Sequence, residues 1–339
     1  MPTVNQGKVG TDRWEKHPTT KTMDYINHAA KHLYEYYPPL TKEEDFDTFW
    51  ARTIAQAKGV PLNPTRKPHA FPSPYIQVYD ITYHGFDQTP IHGWYLVPTF
   101  TSNNKLPCLI HYHGARGNRG VPSDFAHWVL MGVAVLSMDC RGQGGPTGNL
   151  ATYSWGNAQV MSTKGLLDKD EYYYRAVYMD CLKAIDFACA QEEVDSSRII
   201  LEGTSQGGGL VMAVSALDPR PFLAMAQVPS NSDLTRRVAG AHGVFGAVGD
   251  YLRNYPEQTD QVLRTLSYFD TMNMADAIKC KVLASVGLRD NICPPECYFA
   301  TYNRIKSEKD ICIYPFNGHD GAGALHREVQ LRFLRKNLG

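Results

Sequence analysis

Apolar positions follow two rhythms along the chain. From residue 106 onward, short apolar runs at 106–112, 133–138, 199–202, 223–228, 282–288 and 311–314 alternate with helix-like segments, of which 172–189 is the clearest. Continuous apolar strands alternating with helices imply a mostly parallel, doubly wound sheet covered on both faces. Ahead of this region the pattern differs. YIQVYDITYH and IHGWYLVP flank the turn GFDQTP and predict an antiparallel hairpin. Two amphipathic stripes come earlier still. Met23, Ile26, Ala30, Leu33 and Tyr37 recur at spacings of three and four until Pro38-Pro39 stops them, and Phe46, Phe49, Trp50, Ile54 and Ala57 share a second face that ends at Gly59. Thr41 and Glu44 have the spacing of a capping box for that second helix. The segment 61–74 is proline-rich and is expected to be a linker.

The alternation breaks between residues 230 and 278, where GAHGVFGAVGD precedes a helix-like stretch. This is expected to be a helical insertion over the sheet edge. The predicted organisation is a helical N-terminal extension over 1–40 and a single α/β domain over 41–339 that contains the insertion.

Chemistry enters at residues 203–209, GTSQGGG, directly after the apolar run RIILE and before LVMAVSAL. Glycine tolerates positive φ and close backbone approach, so four of them after a strand mark a crowded turn. A strand, a sharp turn carrying Ser205 within G-x-S-x-G, and a buried helix make a nucleophile elbow. A serine hydroxyl needs a base, usually a histidine held by an acid, and on this kind of sheet the order is serine, acid, histidine. Asp290 in VLASVGLRDNICPP and His319 in ICIYPFNGHDGAG each fall just beyond a predicted strand, at the edge where Ser205 lies. The rival acids Asp270 and Asp276 and the rival base His242 fall in the insertion. A further rival base, His326, falls in the predicted last helix, where a surface histidine is expected. Two backbone N–H groups should face the developing oxyanion, one from Gln206 and the other from Ala115 in HGARGNRG. His111 and His113 form an HxH that, with Asp139, raises a metal reading. No further clustered ligands accompany it, so metal and cofactor are both expected to be none.

Composition narrows the partners. Lys+Arg 34 balances Asp+Glu 34, and no basic run offers a phosphate track, which argues against nucleic acid and anionic membrane. Eight scattered cysteines fit buried thiols better than a disulfide framework. With no apolar leader or spanning stretch in the sequence, a cytoplasmic location is expected.

RGQGG at 141–145, GTSQGGG and the pair His319-Asp320, supported by EEDFDTFW, KGLLDKDEYYYR, RTLSYFD and SVGLRDNICPP, resemble the signature motifs of carbohydrate esterase family 7. That family comprises the acetyl xylan esterases and cephalosporin C deacetylases of the α/β-hydrolase superfamily. The resemblance implies Ser205 as nucleophile, His319 as base, Asp290 as its partner, Gln206 and Ala115 as oxyanion donors, and Pro229 beside the acyl pocket. Arg141 and Gln143 would brace loops. It further implies small acetylated sugars and cephalosporin C as substrates, no metal, and a homo-oligomer, a hexamer. Two residues depart from the pattern: Asp320 replaces a glutamate, and Ala115 stands where tyrosine is usual. Loss of that ring is expected to leave the acyl or leaving-group side roomier, and the alternative reading is a broader carboxylesterase for longer acyl or non-carbohydrate esters. About thirty-five N-terminal residues lie outside the resemblance.

Overall fold

The computed structural model describes residues 28, 30–101, 105–155 and 160–339. Among these residues nine strands form one sheet in the order β1-β2-β3-β5-β4-β6-β7-β8-β9. They are β1 Thr65–His69, β2 Ile76–His84, β3 Pro90–Pro98, β4 Leu106–Tyr112, β5 Ala134–Met138, β6 Val194–Thr204, β7 Pro221–Gln227, β8 Lys281–Gly287 and β9 Lys309–Tyr314. From β5 to β9 all pairing is parallel, while β1, β2 and β3 pair antiparallel and β3 joins β5 antiparallel. This is the expected α/β-hydrolase sheet. Its central strands are apolar on both faces because helices cover both: β5 is buried at every position.

The helices that position the site are α1 Phe46–Gly59, α2 Ala126–Val129, α3 Tyr173–Cys189, α4 Gln206–Leu217, α5 Leu234–Ala239, α6 Gly246–Asn254, α7 Thr259–Ser267, α8 Pro295–Tyr302 and α9 Gly323–Leu338. The stripe of α1 packs as its spacing predicts, with Phe46, Phe49, Trp50 and Ala57 buried. Trp50 stacks on Tyr178 of α3 at 5.7 Å and donates its indole N–H to the Tyr268 carbonyl. Burying each such side chain contributes about 1.5–3 kcal/mol. Among the described residues no helix is long and apolar enough to cross a membrane.

Four local expectations change. In the earliest stripe, Met23 and Ile26 lie outside the described residues; Ala30 and Leu33 are buried in helix, but Tyr37 has left it and is exposed. The Thr41–Glu44 capping box does not form, because Asn273 takes both the N–H and the hydroxyl of Thr41, and α1 begins after Asp45 without a side-chain cap. The expected linker contains β1, an edge strand whose Pro68 is tolerated because an edge leaves one side without ladder bonds. Lastly, β6 begins at Val194, five residues before its apolar run. Asp195, Ser196 and Ser197 are solvated or bonded to one another there, so hydrophobicity did not mark the start.

Candidate active site

Ser205 links β6 to α4 with φ 60° and ψ −116°, a conformation that costs a non-glycine residue on the order of 1–3 kcal/mol. Three bonds hold it there. Its N–H donates to the Gln227 carbonyl, and its own carbonyl accepts from Gly209 and Ser230. The glycines around it answer to space. A Cβ on Gly203 would meet Gly207 carbon at 2.5 Å, one on Gly208 would meet the Gln227 oxygen at 2.9 Å, and one on Gly209 the Ser230 oxygen at 2.7 Å. GTSQGGG is therefore a turn wedged between neighbouring strands.

The structure brings His319 and Asp290 to this turn. His319 Nε2 lies 2.9 Å from Ser205 Oγ, and its Nδ1 lies 2.8 Å from Asp290 Oδ2. A carboxylate can only accept, so Nδ1 carries the proton and Nε2 is left to accept from the serine hydroxyl. The other oxygen of Asp290 accepts from the N–H groups of Ile292 and Cys293, at 2.8 Å each. Asp290 is thereby fixed and almost fully buried. The two loops meet because β8 and β9 end tightly together: a Cβ on Gly287 would lie 2.4 Å from the Gly318 oxygen. The Asp290 hydrogen bond, followed by the neighbouring Cys293, raises the affinity of His319 for protons above that of an ordinary imidazole, against the opposing effect of burial.

The rivals are engaged elsewhere. Asp270 is buried and accepts from the N–H groups of Asp233, Leu234 and Met272; burial pushes its carboxyl up to about 7, and those bonds act against the rise. Asp276 is exposed and pairs with Lys306. His242 Nδ1 bonds the Asn291 carbonyl. His326 is in the last helix as expected, but it is fully buried rather than on the surface, because α9 turns that face onto the sheet beside Tyr314 and Glu202.

The HxH pair is split by the end of β4 at Tyr112. His111, still in the strand, bonds Glu202 at 2.6 Å, and His113, past the strand end, is buried and accepts at Nε2 from Cys140 N–H. Asp139 accepts from Arg119 and Thr147. Among the described residues no group of three or more His, Cys, Asp or Glu is arranged to hold a metal ion.

Gln206 is the first residue of α4, where a backbone N–H has no acceptor within the helix. Ala115 lies in the turn after β4, and that turn passes beside the serine: a Cβ on Gly114 would sit 3.9 Å from Ser205 Cβ. Gln143 ties the two segments together. Its Oε1 accepts from Arg116 N–H, and its Nε2 donates to Gln206 Oε1 and Tyr173. Arg141, fully buried, makes two bonds to Asp180 and one to Asp87, which fixes the loop carrying Gln143. Pro229 follows β7 against α4, with its Cα 3.0 Å from the Cβ position of Gly208. Asp320 accepts from Asn317, Gly318 and Ala322 and so shapes the His319 loop without reaching the imidazole.

A family model described as acetyl xylan esterase (AXE1) matches residues 23–337. The chain belongs to the acetyl xylan esterase family. This is a family of carboxylic ester hydrolases, and solved structures agree with the assignment. An acetyl xylan esterase from Paenibacillus sp. R4 is 43% identical with a TM-score of 0.87, covering 90% of this chain and 98% of that one. Acetyl xylan esterase 1 from Thermoanaerobacterium sp. JW/SL YS485 is 33% identical with a TM-score of 0.83, covering 89% and 98%. Acetyl esterase Axe7A of Xylanibacter ruminicola is 27% identical over 294 residues, 83% of this chain. The chain spans 64% of that relative's length.

Sequence reasoning missed two residues of this family member's site region. Cys293 is buried beside His319; burial raises a thiol, yet the Arg237 charge and the His319 contact bring it below the ordinary value. Its place three residues after Asp290 was the available signal. Arg237 of α5 is buried and donates to Ser230 Oγ at 2.6 Å and to the Ile292 carbonyl at 2.8 Å, joining the insertion to the Asp290 loop. Nothing in the sequence marked it, since one arginine in an irregular segment reads as solvated.

Proposed function

We propose that the protein is a serine esterase that removes acetyl groups from small acetylated carbohydrates, xylo-oligosaccharides first, with cephalosporin C-like acetyl esters also accepted. The observation that carries this reading is the hydrogen-bonded series Ser205, His319, Asp290 at the end of three parallel strands. Ser205 Oγ attacks the acetyl carbonyl as its proton passes to His319 Nε2, and Asp290 stabilises the imidazolium that forms. The N–H groups of Gln206 and Ala115 face the oxyanion. His319 then returns the proton to the departing sugar oxygen, leaving an acetyl ester on Ser205. Water attacks that ester by the same route in reverse and acetate leaves. The strained turn at Ser205 supports this assignment, because such strain persists only where the surroundings enforce it.

The names of the two similar solved structures support xylan-derived acetyl esters as substrates. The test is acetate release from acetylated xylo-oligosaccharides and cephalosporin C by wild type and Ser205→Ala. Loss of the nucleophile of a working triad costs on the order of a millionfold in turnover. A Ser205→Ala protein that keeps wild-type rates would overturn the mechanism. Cleavage confined to non-sugar esters would overturn the substrate class and leave the mechanism standing.

A further inference from the structure

A cleft of about 650 Å³ opens between Tyr153, Ser154, Trp155, Val160 and Thr163 on one side and α6 on the other. That volume lies within the range of about 300–1,000 Å³ found for ligand sites. Its helical wall is one face of α6 and the turn after it: Ala247, Asp250, Tyr251, Asn254 and Tyr255 recur at the spacing of a single helical stripe. Tyr153 and Trp155 stand on the opposite wall.

Trp155 is 55% exposed and Tyr255 is 43% exposed. Large rings left open to water need a reason when they line one concavity. The indole is also held: Trp155 Nε1–H donates to Tyr251 Oη at 3.0 Å, which fixes its edge and leaves its face available. Tyr251 and Tyr255 lie with centroids 4.9 Å apart. The polar groups are Asp250, an acceptor, and Asn254, which both donates and accepts. Among the described residues the lining contains no lysine, arginine or histidine, so it offers nothing to a phosphate or carboxylate.

A pyranose has complementary chemistry. Its axial C–H groups form an apolar face that stacks on an aromatic ring, and its equatorial hydroxyls project sideways toward carboxylate and amide partners. Buried and part-buried contacts also couple the walls of the cleft to the Ser205 turn. Phe245, immediately before α6, packs on Tyr174 at 6.3 Å, and the Tyr174 hydroxyl donates to Gln206. Across the cleft, Tyr153 accepts from Asn149, which Arg141 holds.

The geometry points to this cleft as a sugar-binding subsite, with Trp155 as the stacking platform and Asp250 and Asn254 as hydroxyl partners, that takes unacetylated pyranose units of an oligosaccharide while an acetylated unit reacts at Ser205. This rests on the acetyl-sugar reading of the site. It makes Trp155, Asp250 and Tyr255 determinants of substrate binding and leaves the acyl-transfer chemistry to other residues.

Two measurements test it, and they fail independently. In the first, Ser205→Ala protein is titrated with unacetylated xylotetraose and binding is followed by calorimetry. Dissociation constants in the millimolar range or tighter are expected, weakened at least about tenfold by added Trp155→Ala or Asp250→Asn, a factor worth about 1.4 kcal/mol. Trp155→Phe, which keeps a ring, should restore part of the affinity. In the second, Trp155→Ala and Tyr255→Ala in the active enzyme should raise KM for acetylated xylotetraose with kcat nearly unchanged, and leave 4-nitrophenyl acetate kinetics at wild-type values. Titration without binding, or binding that the cleft variants do not weaken, overturns the subsite. If the enzyme cleaves 4-nitrophenyl acetate but no acetylated xylo-oligosaccharide, the functional reading falls, and the xylotetraose titration still decides the cleft. A variant with both substrates impaired is checked by circular dichroism. If it is folded, loss on both substrates assigns the residue to the reaction centre and overturns the subsite; if it is misfolded, Tyr255→Phe and Asp250→Asn decide the question.

Discussion

The carbonyl oxygen of Tyr112, the last residue of β4, occupies the space that a side chain on Gly207 would need: a Cβ built there would lie 1.8 Å away. The obstruction is backbone of a central strand, which cannot rotate aside. Gly207→Ala must push α4 off the sheet or pull β4 out of register, at a cost on the order of 3 kcal/mol or more. The variant is expected to lose most soluble expression and, where folded, to unfold at much lower urea concentration. Wild-type urea stability would show that the turn is less crowded than this geometry requires.

That relationship also explains how much of the site was legible in the sequence. Ser205, Asp290 and His319 could be placed because a parallel sheet delivers the carboxyl ends of its strands to one edge, and each residue directly follows an apolar strand. Arg237 and Asp180 could not. Their roles come from burial and from partners distant in the chain, such as Ile292 for Arg237 and Arg141 for Asp180. His326 was misread for the same reason. Its place in α9 was clear from the pattern, but which face of α9 meets the sheet depends on packing against Tyr314. Likewise β1 was hidden because an edge strand buries too little to leave an alternating pattern.

The contact between His319 and Asp290 sets a pH dependence. In the proposed mechanism His319 accepts the Ser205 proton only when its imidazole is neutral, and the Asp290 carboxylate favours the charged form. The raised pKa means that kcat/KM climbs with pH and reaches half its plateau above the ordinary imidazole value of about 6.5. Asp290→Asn should lower turnover by roughly 10⁴-fold. It should also move the remaining acid limb to lower pH. A wild-type limb at or below the ordinary value that Asp290→Asn does not shift would count against this assignment.

Acid sensitivity of the fold should come from the opposite face of the sheet. His326 is fully buried, Tyr314 bonds its Nδ1 at 3.0 Å, and its Nε2 has no partner among the described residues. Burial pushes its pKa down to about 4, with Glu202 acting in the other direction. The unfolded chain therefore takes up a proton below about 6.5 while the folded protein does not. Stability falls as pH drops through that window and levels off near 4, for a total loss on the order of 3 kcal/mol from this group. Urea midpoints measured from pH 7 to pH 4 should show the decline. His326→Leu should flatten it, at the cost of leaving the Tyr314 hydroxyl to water. An equally steep decline in the variant would assign the acid sensitivity elsewhere, with His127, also lowered by burial, as the next group to test.

In the proposed function, Ala115 in place of tyrosine leaves the acyl or leaving-group side roomier. Its neighbours are fixed: Arg116 sits at φ 65° with its N–H on Gln143, and Gly117 N–H closes the turn onto Gly114. The backbone N–H that the proposed mechanism offers to the oxyanion thus depends on the turn and not on the side chain. A methyl group in place of a larger ring leaves room beside Ser205, so butyrate and longer esters should be cleaved at rates comparable with acetate. Ala115→Tyr should restore a wall without moving the N–H, reducing kcat/KM for longer acyl chains by about tenfold to a hundredfold while sparing acetate, in line with the 1–3 kcal/mol that a methylene or two is worth in a filled pocket. The measurement is a series of 4-nitrophenyl esters from acetate to octanoate on both proteins. If wild type already prefers acetate sharply, another residue supplies the wall that Ala115 lacks, and the loss of the tyrosine has no bearing on specificity.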